Sequence, residues 1–193
     1  MSKKKDILRA ATELFSRKGF KDTSIDEVAE KTGVAHGTVF YHFKTKEDLL
    51  LAILAEFEKE LVSAYQRHME ALQLENGLEM LEDAVAFYLQ LAASMEERFL
   101  LLHRHDAYEL AEANASCRKH LESIYNCLVD IFEKPIKSGQ GDRSIRKLPA
   151  RRMAMIIFAM VDGLVRLNTY RLYHADTLYN LLIDACDRML AAR

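Results

Sequence analysis

The chain has 193 residues, of which 50% are hydrophobic and 29% are charged, with a formal net charge of −2. This length allows one large or two small domains, and the hydrophobic fraction is ample for a packed core. The near-neutral charge argues against a binder that holds nucleic acid through charge alone, although residues 1–50 carry ten Lys and Arg against eight Asp and Glu.

The composition predicts an all-α protein. The chain has only two prolines and seven glycines, no stretch alternates at period two, and long runs are rich in helix-forming residues. Three cysteines, Cys117, Cys127 and Cys186, include no C-x-x-C pair, which favours reduced thiols over disulfides or structural zinc. Lys3 to Lys5 precede an amphipathic helix rather than a secretory segment, so we expect a cytoplasmic protein without membrane association.

The first elements form a compact pattern. A helix is predicted from about Lys4 to Lys18, closed by Gly19. A capping box, Ser24 with Glu27, then opens a short helix that Gly33 ends. The residues from Gly33 to Phe43 read as a turn and a second short helix. Two short helices joined by a glycine-containing turn predict a helix-turn-helix, in which the second helix enters the DNA major groove.

The following elements are longer. A capping signal at Thr45 to Asp48 opens a helix that reaches about Glu70, and Asn76-Gly77 marks a break. Apolar spacing then predicts a helix over 78–93, a short apolar segment over 99–102, a long helix to about Lys137 and a loop from Ser138 to Pro149.

The last two predicted helices, 150–172 and 176–191, suggest self-association. The apolar run from Met153 to Val161 would surround its helix, so both sides should be buried. One side would meet the core and the other a second subunit, which predicts a homodimer through the two C-terminal helices. The alternative is that this run is simply central within a monomer.

The N-terminal pattern resembles the TetR family of bacterial transcriptional regulators. The motifs that carry the resemblance are Ile7-Leu8-x-Ala10-Ala11-x-x-Leu14-Phe15-x-x-x-Gly19-Phe20, Thr23-Ser24-Ile25-x-x-Val28-Ala29, Gly33-Val34-x-x-Gly37-Thr38, Tyr41-His42-Phe43 and Lys46-Glu47-Asp48-Leu49-Leu50. They cover about the first quarter of the chain. The resemblance implies a three-helix DNA-binding domain over residues 1–46 and a helical domain for effector binding and dimerisation over 47–193.

The resemblance also implies a recognition helix from about His36 to Phe43. The predicted DNA-binding residues are Thr23, Ser24, His36, Gly37, Thr38, Tyr41, His42 and Lys46. His36 and Tyr41 are the expected specificity elements. Ser24 and Thr23 lie at a helix start that favours a phosphate, and Lys46 would also contact a phosphate.

Two positions depart from the family pattern. Phe40 lacks a hydroxyl that tyrosine would bring, and Ala35 cannot cap the recognition helix through its side chain. Lys3 to Lys5 are either a DNA-reaching arm or a solvated tail.

A small-molecule effector site is expected in the C-terminal part. The predicted lining is Phe87, Leu91, Phe99, His103, Tyr108, Tyr125, Met155, Phe158 and Asp162. Each apolar member could equally be core, whereas His103 and Asp162 need a polar partner on otherwise apolar helices. His103 and His105 are two residues apart and face different directions on a helix, so no metal site is predicted and no cofactor is expected.

These patterns predict a homodimeric, ligand-responsive repressor that binds double-stranded DNA at a near-palindromic operator. The alternative is a structural or adaptor protein that binds DNA and recruits a protein partner. The sequence contains no phosphate loop, nucleophile elbow or evident carboxylate pair, so an enzyme is not expected.

Overall fold

A computed structural model of the chain describes residues 2–74, 76–173 and 175–192. Within these residues the protein is helical, and the only β-type pairing is an isolated bridge between Ile145 and Ala191. The helices are α1 (Lys3–Arg17), α2 (Ile25–Thr32), α3 (His36–His42), α4 (Lys46–Ala71), α5 (Gly77–Ser94), α6 (Glu96–Leu102), α7 (His105–Ala113), α8 (Ala115–Asp142), α9 (Ala150–Thr169) and α10 (Tyr179–Leu190), with a 3₁₀ turn at Ala175–Leu178. The all-α fold class is confirmed.

The chain forms two compact units. The first comprises Met1–Glu60 and Met95–Ile124, and the second comprises Leu61–Ser94 and Tyr125–Arg193. The unit boundaries therefore fall within α4 and α8. The predicted division between residues 46 and 47 concerns which part binds DNA, and it stays a prediction.

In the first unit, α1 packs against α2, α3 and α6. Fully buried aromatic side chains fix this arrangement: Phe15 meets Phe20 edge to face at 5.3 Å between ring centroids, and Phe57 meets Phe99 at 5.7 Å. Such pairs stabilise beyond the area that they bury. The first unit therefore holds the short helices α2 and α3 against a rigid core.

In the second unit, α5 packs against α9 and α10. Tyr88 on α5 lies wholly buried, 5.5 Å from Phe132 on α8. The inner face of α9 buries Ala154, Ile157 and Val161. Its outer face leaves Met155 54% and Ile156 49% exposed, so the predicted two-sided burial of this helix is not met within one chain.

One predicted boundary was wrong. The helix predicted to reach about Lys137 is α8, and Asn114 caps its start: the Asn114 side-chain oxygen accepts hydrogen bonds from the Ser116 and Cys117 amides at 3.0 Å. The loop expected from Ser138 is helical as far as Asp142. Gly139 leaves room there for the Ile145 side chain, which packs back onto the helix end.

Candidate nucleic-acid interface

The helix-turn-helix consists of α2, the turn at Gly33 and α3, and we call it the reader. Its first half is a capped helix. The Ser24 hydroxyl accepts a hydrogen bond from the Glu27 amide at 3.2 Å, and a Glu27 carboxylate oxygen accepts from the Ser24 amide at 2.7 Å. This reciprocal pair confirms the predicted capping box. A hydrogen bond from Lys18, followed by the bond from the Ser24 amide, lowers the pKa of Glu27 to about 2. The carboxylate is thus held charged at the positive end of α2.

A tight turn connects the two helices. Gly33 adopts φ +67°, a left-handed conformation that favours glycine, and its amide donates to the Glu30 carbonyl at 3.1 Å. Ala35 occupies the N-cap position of α3, and its side chain makes no hydrogen bond to that helix, as the sequence predicts. The recognition helix is therefore oriented mainly by its buried face.

That buried face consists of Val39, with no exposed area, and Phe43 at 5%. Phe40, which could have faced inward, is 37% exposed, and its ring lies tilted against the His36 ring at 4.8 Å between centroids. Packing through Val39 and Phe43 leaves the opposite face of α3 open.

The open face carries most of the predicted recognition residues. His36, Gly37 and Tyr41 are exposed, with Tyr41 at 77%, and Thr38 and His42 are partly exposed. A Cβ added at Gly37 would meet no atom within 4 Å, so glycine here leaves the surface flat. Such a face, small in its middle and polar at its ends, suits entry into the major groove.

His36 has a partner that the sequence did not reveal. Its Nδ1 forms a hydrogen bond with the Asp26 carboxylate of α2. A carboxylate at Nδ1 fixes the ring orientation and leaves Nε2 as the ring atom for another contact. Asp26 on α2 therefore fixes the orientation of the His36 ring on α3.

Thr23 lies inward rather than toward solvent. Its side chain is 1% exposed, and its hydroxyl donates to the Gly19 carbonyl at 2.7 Å. The Ser24 hydroxyl is engaged in the cap. The predicted phosphate contacts of both side chains stay predictions, and each would have to form beside these internal bonds.

Lys46 is also engaged within the protein. Its ammonium donates to the carbonyls of Phe20 at 2.8 Å, Lys21 at 3.3 Å and Thr23 at 2.9 Å. It also lies 4.6 Å from the centroid of the Phe20 ring. An ammonium has three N–H donors, and these three acceptors match them. The predicted phosphate contact of Lys46 stays a prediction.

Two further residues hold the same segment, and no local sequence pattern indicates either of them. One Asp106 oxygen accepts hydrogen bonds from the amides of Phe20 at 2.7 Å and Lys21 at 3.4 Å. The Arg104 guanidinium donates to the carbonyls at the end of α1, those of Ser16, Arg17 and Lys18, each at 3.3 Å. We call Lys46, Arg104 and Asp106 the polar clamp.

Gly19 makes the polar clamp possible. Its φ is +108°, and an added Cβ would lie 2.8 Å from both an Arg104 nitrogen and an Asp106 oxygen. Glycine is the residue that tolerates both this backbone and this approach. The glycine that the sequence marked as a helix stop thus also makes room for two charged side chains.

The predicted effector residues of the first unit differ in burial. Phe99 is fully buried and its ring lies 6.4 Å from that of His103, which is 6% exposed. Tyr108 is 42% exposed. Phe99 and His103 thus belong to the interior of this unit, whereas Tyr108 lies at its surface.

In the second unit, a polar pair lies among aromatic rings. The Tyr88 hydroxyl donates to the Asp162 carboxylate at 2.7 Å, and the Phe158 ring lies 6.0 Å from the rings of both Tyr88 and Tyr125. Burial, followed by the adjacent Asp162 charge, raises the pKa of Tyr88 well above its ordinary value. Tyr88 was not predicted, because a tyrosine on an apolar helix face reads as ordinary core.

The other predicted residues of this unit lie elsewhere. Phe87 stacks on the His68 ring at 4.1 Å, and His68 pairs with Asp83 at 2.5 Å. Leu91 is buried, and Met155 lies on the exposed face of α9. The structure thus groups Tyr125, Phe158 and Asp162 around Tyr88. The effector role of the predicted lining stays a prediction.

Two properties of the described residues bear on possible partners. No helix among them is long and apolar enough to cross a membrane. No group of three or more His, Cys, Asp or Glu side chains within the described part of the chain is arranged to hold a metal ion.

The helix-turn-helix and its open recognition face define a DNA-binding protein. A family model described as "Bacterial regulatory proteins, tetR family" matches residues 7–53. The HTH-type transcriptional regulator AcrR of Shigella flexneri is 30% identical over 168 residues, which cover 82% of this chain and 74% of that protein. The chain belongs to the TetR family and is a DNA-binding transcriptional regulator.

Solved structures share the whole fold. A transcriptional regulator from Saccharomonospora viridis in complex with choline aligns with a TM-score of 0.84 at 21% identity, covering 98% of each chain. The regulator FadR from Bacillus subtilis in complex with stearoyl-CoA aligns with a TM-score of 0.75 at 22% identity, covering 94% of this chain and 96% of that one. The family and these relatives are regulators rather than enzymes.

Proposed function

We propose that the protein is a homodimeric repressor that leaves a near-palindromic operator when a small molecule binds its C-terminal helices. The observation that carries this proposal is the open face of α3, where His36 and Tyr41 extend from a helix fixed by buried side chains. Two such helices about 34–36 Å apart would read successive major grooves. Such a regulator would act in the cytoplasm, where its DNA lies.

The proposed dimer uses the C-terminal helices. Met155 and Ile156 on α9 are half exposed, and Leu181 on α10 is 63% exposed. Exposed apolar side chains of this size favour a buried interface over contact with water. Pairing α9 and α10 with their copies would bury all three in a four-helix bundle.

The proposed effector site lies near Tyr88 and Asp162. The Asp162 carboxylate and the rings of Tyr88, Phe158 and Tyr125 form one cluster, and a carboxylate among aromatic rings is typical of small-molecule sites. The two solved relatives hold ligands as different as choline and stearoyl-CoA. An effector would release DNA only if it binds more tightly to the conformation that does not fit the operator.

The first experiment is selection of DNA. The purified protein is mixed with fragmented DNA from its source genome at near-physiological salt, and the retained fragments are sequenced. Recovery of one shared near-palindrome supports the proposal. Retention without a shared sequence favours a structural DNA-binding protein, and no retention contradicts operator binding by the free protein.

The second experiment tests release. Choline and stearoyl-CoA are the first probes, followed by small molecules related to the genes beside the selected sites. A supporting ligand raises the melting temperature of the protein and lowers its affinity for the selected duplex. Asp162→Asn should weaken both effects together. A ligand that binds without changing DNA affinity would contradict effector-controlled release.

A further inference from the structure

The segment between α1 and α2 is held through its main chain from two sides. The Lys46 ammonium donates hydrogen bonds to the carbonyls of Phe20, Lys21 and Thr23. The Asp106 carboxylate accepts hydrogen bonds from the amides of Phe20 and Lys21. The two charged groups therefore act on the same segment with opposite polarity, and they share the Phe20–Lys21 peptide unit, whose carbonyl binds Lys46 and whose amide binds Asp106. Hydrogen bonds to charged groups are stronger than neutral ones, so this arrangement restrains the segment firmly.

The segment determines where α2 begins. The Thr23 carbonyl binds Lys46, the Thr23 hydroxyl binds Gly19, and the next residue, Ser24, is the cap of α2. A shift of this main chain would move the cap and with it the first helix of the reader. The position of α3 depends on α2, because the two helices pack together across the Gly33 turn.

A lysine in the first turn of a helix is ordinarily unfavourable, because the helix dipole is positive there. In this protein the Lys46 ammonium is surrounded by three carbonyl oxygens and the face of an aromatic ring. Those groups supply the negative potential that a DNA phosphate would otherwise bring. To donate to a phosphate, the ammonium would have to give up at least one of these acceptors.

We propose that Lys46 and Asp106 are positioning residues for DNA binding, which set the reader through the main chain of residues 20–23 rather than by touching phosphate. This inference rests on the proposed operator binding, and it departs from the phosphate contact that the family resemblance implies for Lys46. Arg104 completes the polar clamp by holding the last carbonyls of α1.

The two roles of Lys46 differ in their salt dependence. A phosphate contact releases counterions, so its loss lowers the slope of log affinity against log salt by about 0.9, or about 1.8 for a dimer. A positioning residue changes affinity without changing the number of phosphates neutralised. The test therefore measures affinity for a 30-base-pair duplex that carries the selected near-palindrome, between 50 and 300 mM KCl.

Three variants are compared with the wild type: Lys46→Met, Lys46→Arg and Asp106→Ala. Each should weaken binding about tenfold or more at every salt concentration, with parallel slopes. Lys46→Arg is informative because a planar guanidinium does not fit three convergent carbonyls, whereas it serves a phosphate well. The double variant Lys46→Met/Asp106→Ala is also measured. Its loss of binding free energy should be smaller than the sum of the two single losses, since both residues act on one segment.

Lys44→Met is the matched control for Lys46→Met, because it removes the same charge outside the polar clamp. Lys44 is exposed and makes no hydrogen bond or ion pair among the described residues. Circular dichroism and melting temperature establish that each variant folds. If Lys46→Met does not fold, Lys46→Arg and Asp106→Ala carry the test.

A slope reduced by one or more in Lys46→Met, full affinity in Lys46→Arg, or unchanged affinity in Asp106→Ala overturns the inference. Failure of the wild type to select a shared sequence would instead overturn the proposed operator binding, and the slopes would then be compared on an unrelated duplex.

Discussion

Replacing Gly77 by Ala should destabilise the second unit more than any other glycine-to-alanine change in that unit. A Cβ at this position would lie 2.0 Å from the Gly139 nitrogen, 2.3 Å from its Cα and 2.6 Å from the Pro135 carbonyl oxygen. All three atoms belong to the main chain of α8. They cannot rotate away as a side chain would, so α5 and α8 would have to separate.

The magnitude follows from the overlap. Relief to an ordinary contact requires a movement of more than 1 Å, and overpacking of this kind costs about 1–3 kcal/mol. The movement would also lengthen the bond that the Gly77 amide donates to Asp142, now 2.7 Å. We expect a loss near the upper end, about 3 kcal/mol, which for a chain of this size lowers the melting temperature by about 6–12 °C.

Gly141→Ala is the matched control. Gly141 lies near the end of α8, has no positive φ, and an added Cβ would meet nothing within 4 Å. Alanine should there stabilise the helix by about 0.5 kcal/mol. Melting is followed by circular dichroism at one protein concentration, because the proposed dimerisation would make the midpoint concentration-dependent. Equal midpoints for the two variants would refute the close approach of α5 and α8.

Three further experiments test the reader and the dimer. Asp26→Asn and His36→Gln should each relax base preference at the same operator position in a repeated selection, and unchanged preference would exclude base reading by His36. The pKa of Glu27 is about 2, below its ordinary value, so the stability that Glu27 contributes is complete above about pH 4.5 and is lost as the pH falls toward 2. Urea unfolding is therefore measured at pH 6 and at pH 3. Between these two pH values the free energy of unfolding should fall less for Glu27→Gln than for the wild type, and an equal fall would contradict this. Ile156→Glu with Leu181→Glu should give monomers in sedimentation velocity, and a persisting dimer would place the interface elsewhere.

The helix-turn-helix was predictable because its signals are local. Ser24 and Glu27 are three residues apart, and Gly33 adopts its left-handed turn immediately after the helix that it ends. Each signal acts within one turn of helix, so the order of residues is enough to read it. The family motifs add to this local information over the same stretch of chain.

The interactions that hold the reader were not predictable in the same way. Asp106 binds an amide 86 residues away, and no local pattern connects the two. Thr23 read as a phosphate ligand because it lies at a helix start, yet its hydroxyl is buried against Gly19. Gly77 marks a break before a helix, as predicted, but its close approach to the main chain of Gly139 could not be read from the sequence. Each case depends on what the chain packs against.

The two parts of the reader therefore differ in the changes that they tolerate. His36 and Tyr41 are exposed to solvent, so under the proposed function their replacement would change mainly the DNA sequence that is bound. Gly19 and the polar clamp are constrained by left-handed backbone and by charged hydrogen bonds to peptide groups. Because the hydrogen bonds of the clamp go to the main chain, they do not depend on the side chain at position 21, whereas the Phe20 ring also contacts the Lys46 ammonium. Base preference can thus change on α3 while the position of α3 stays fixed.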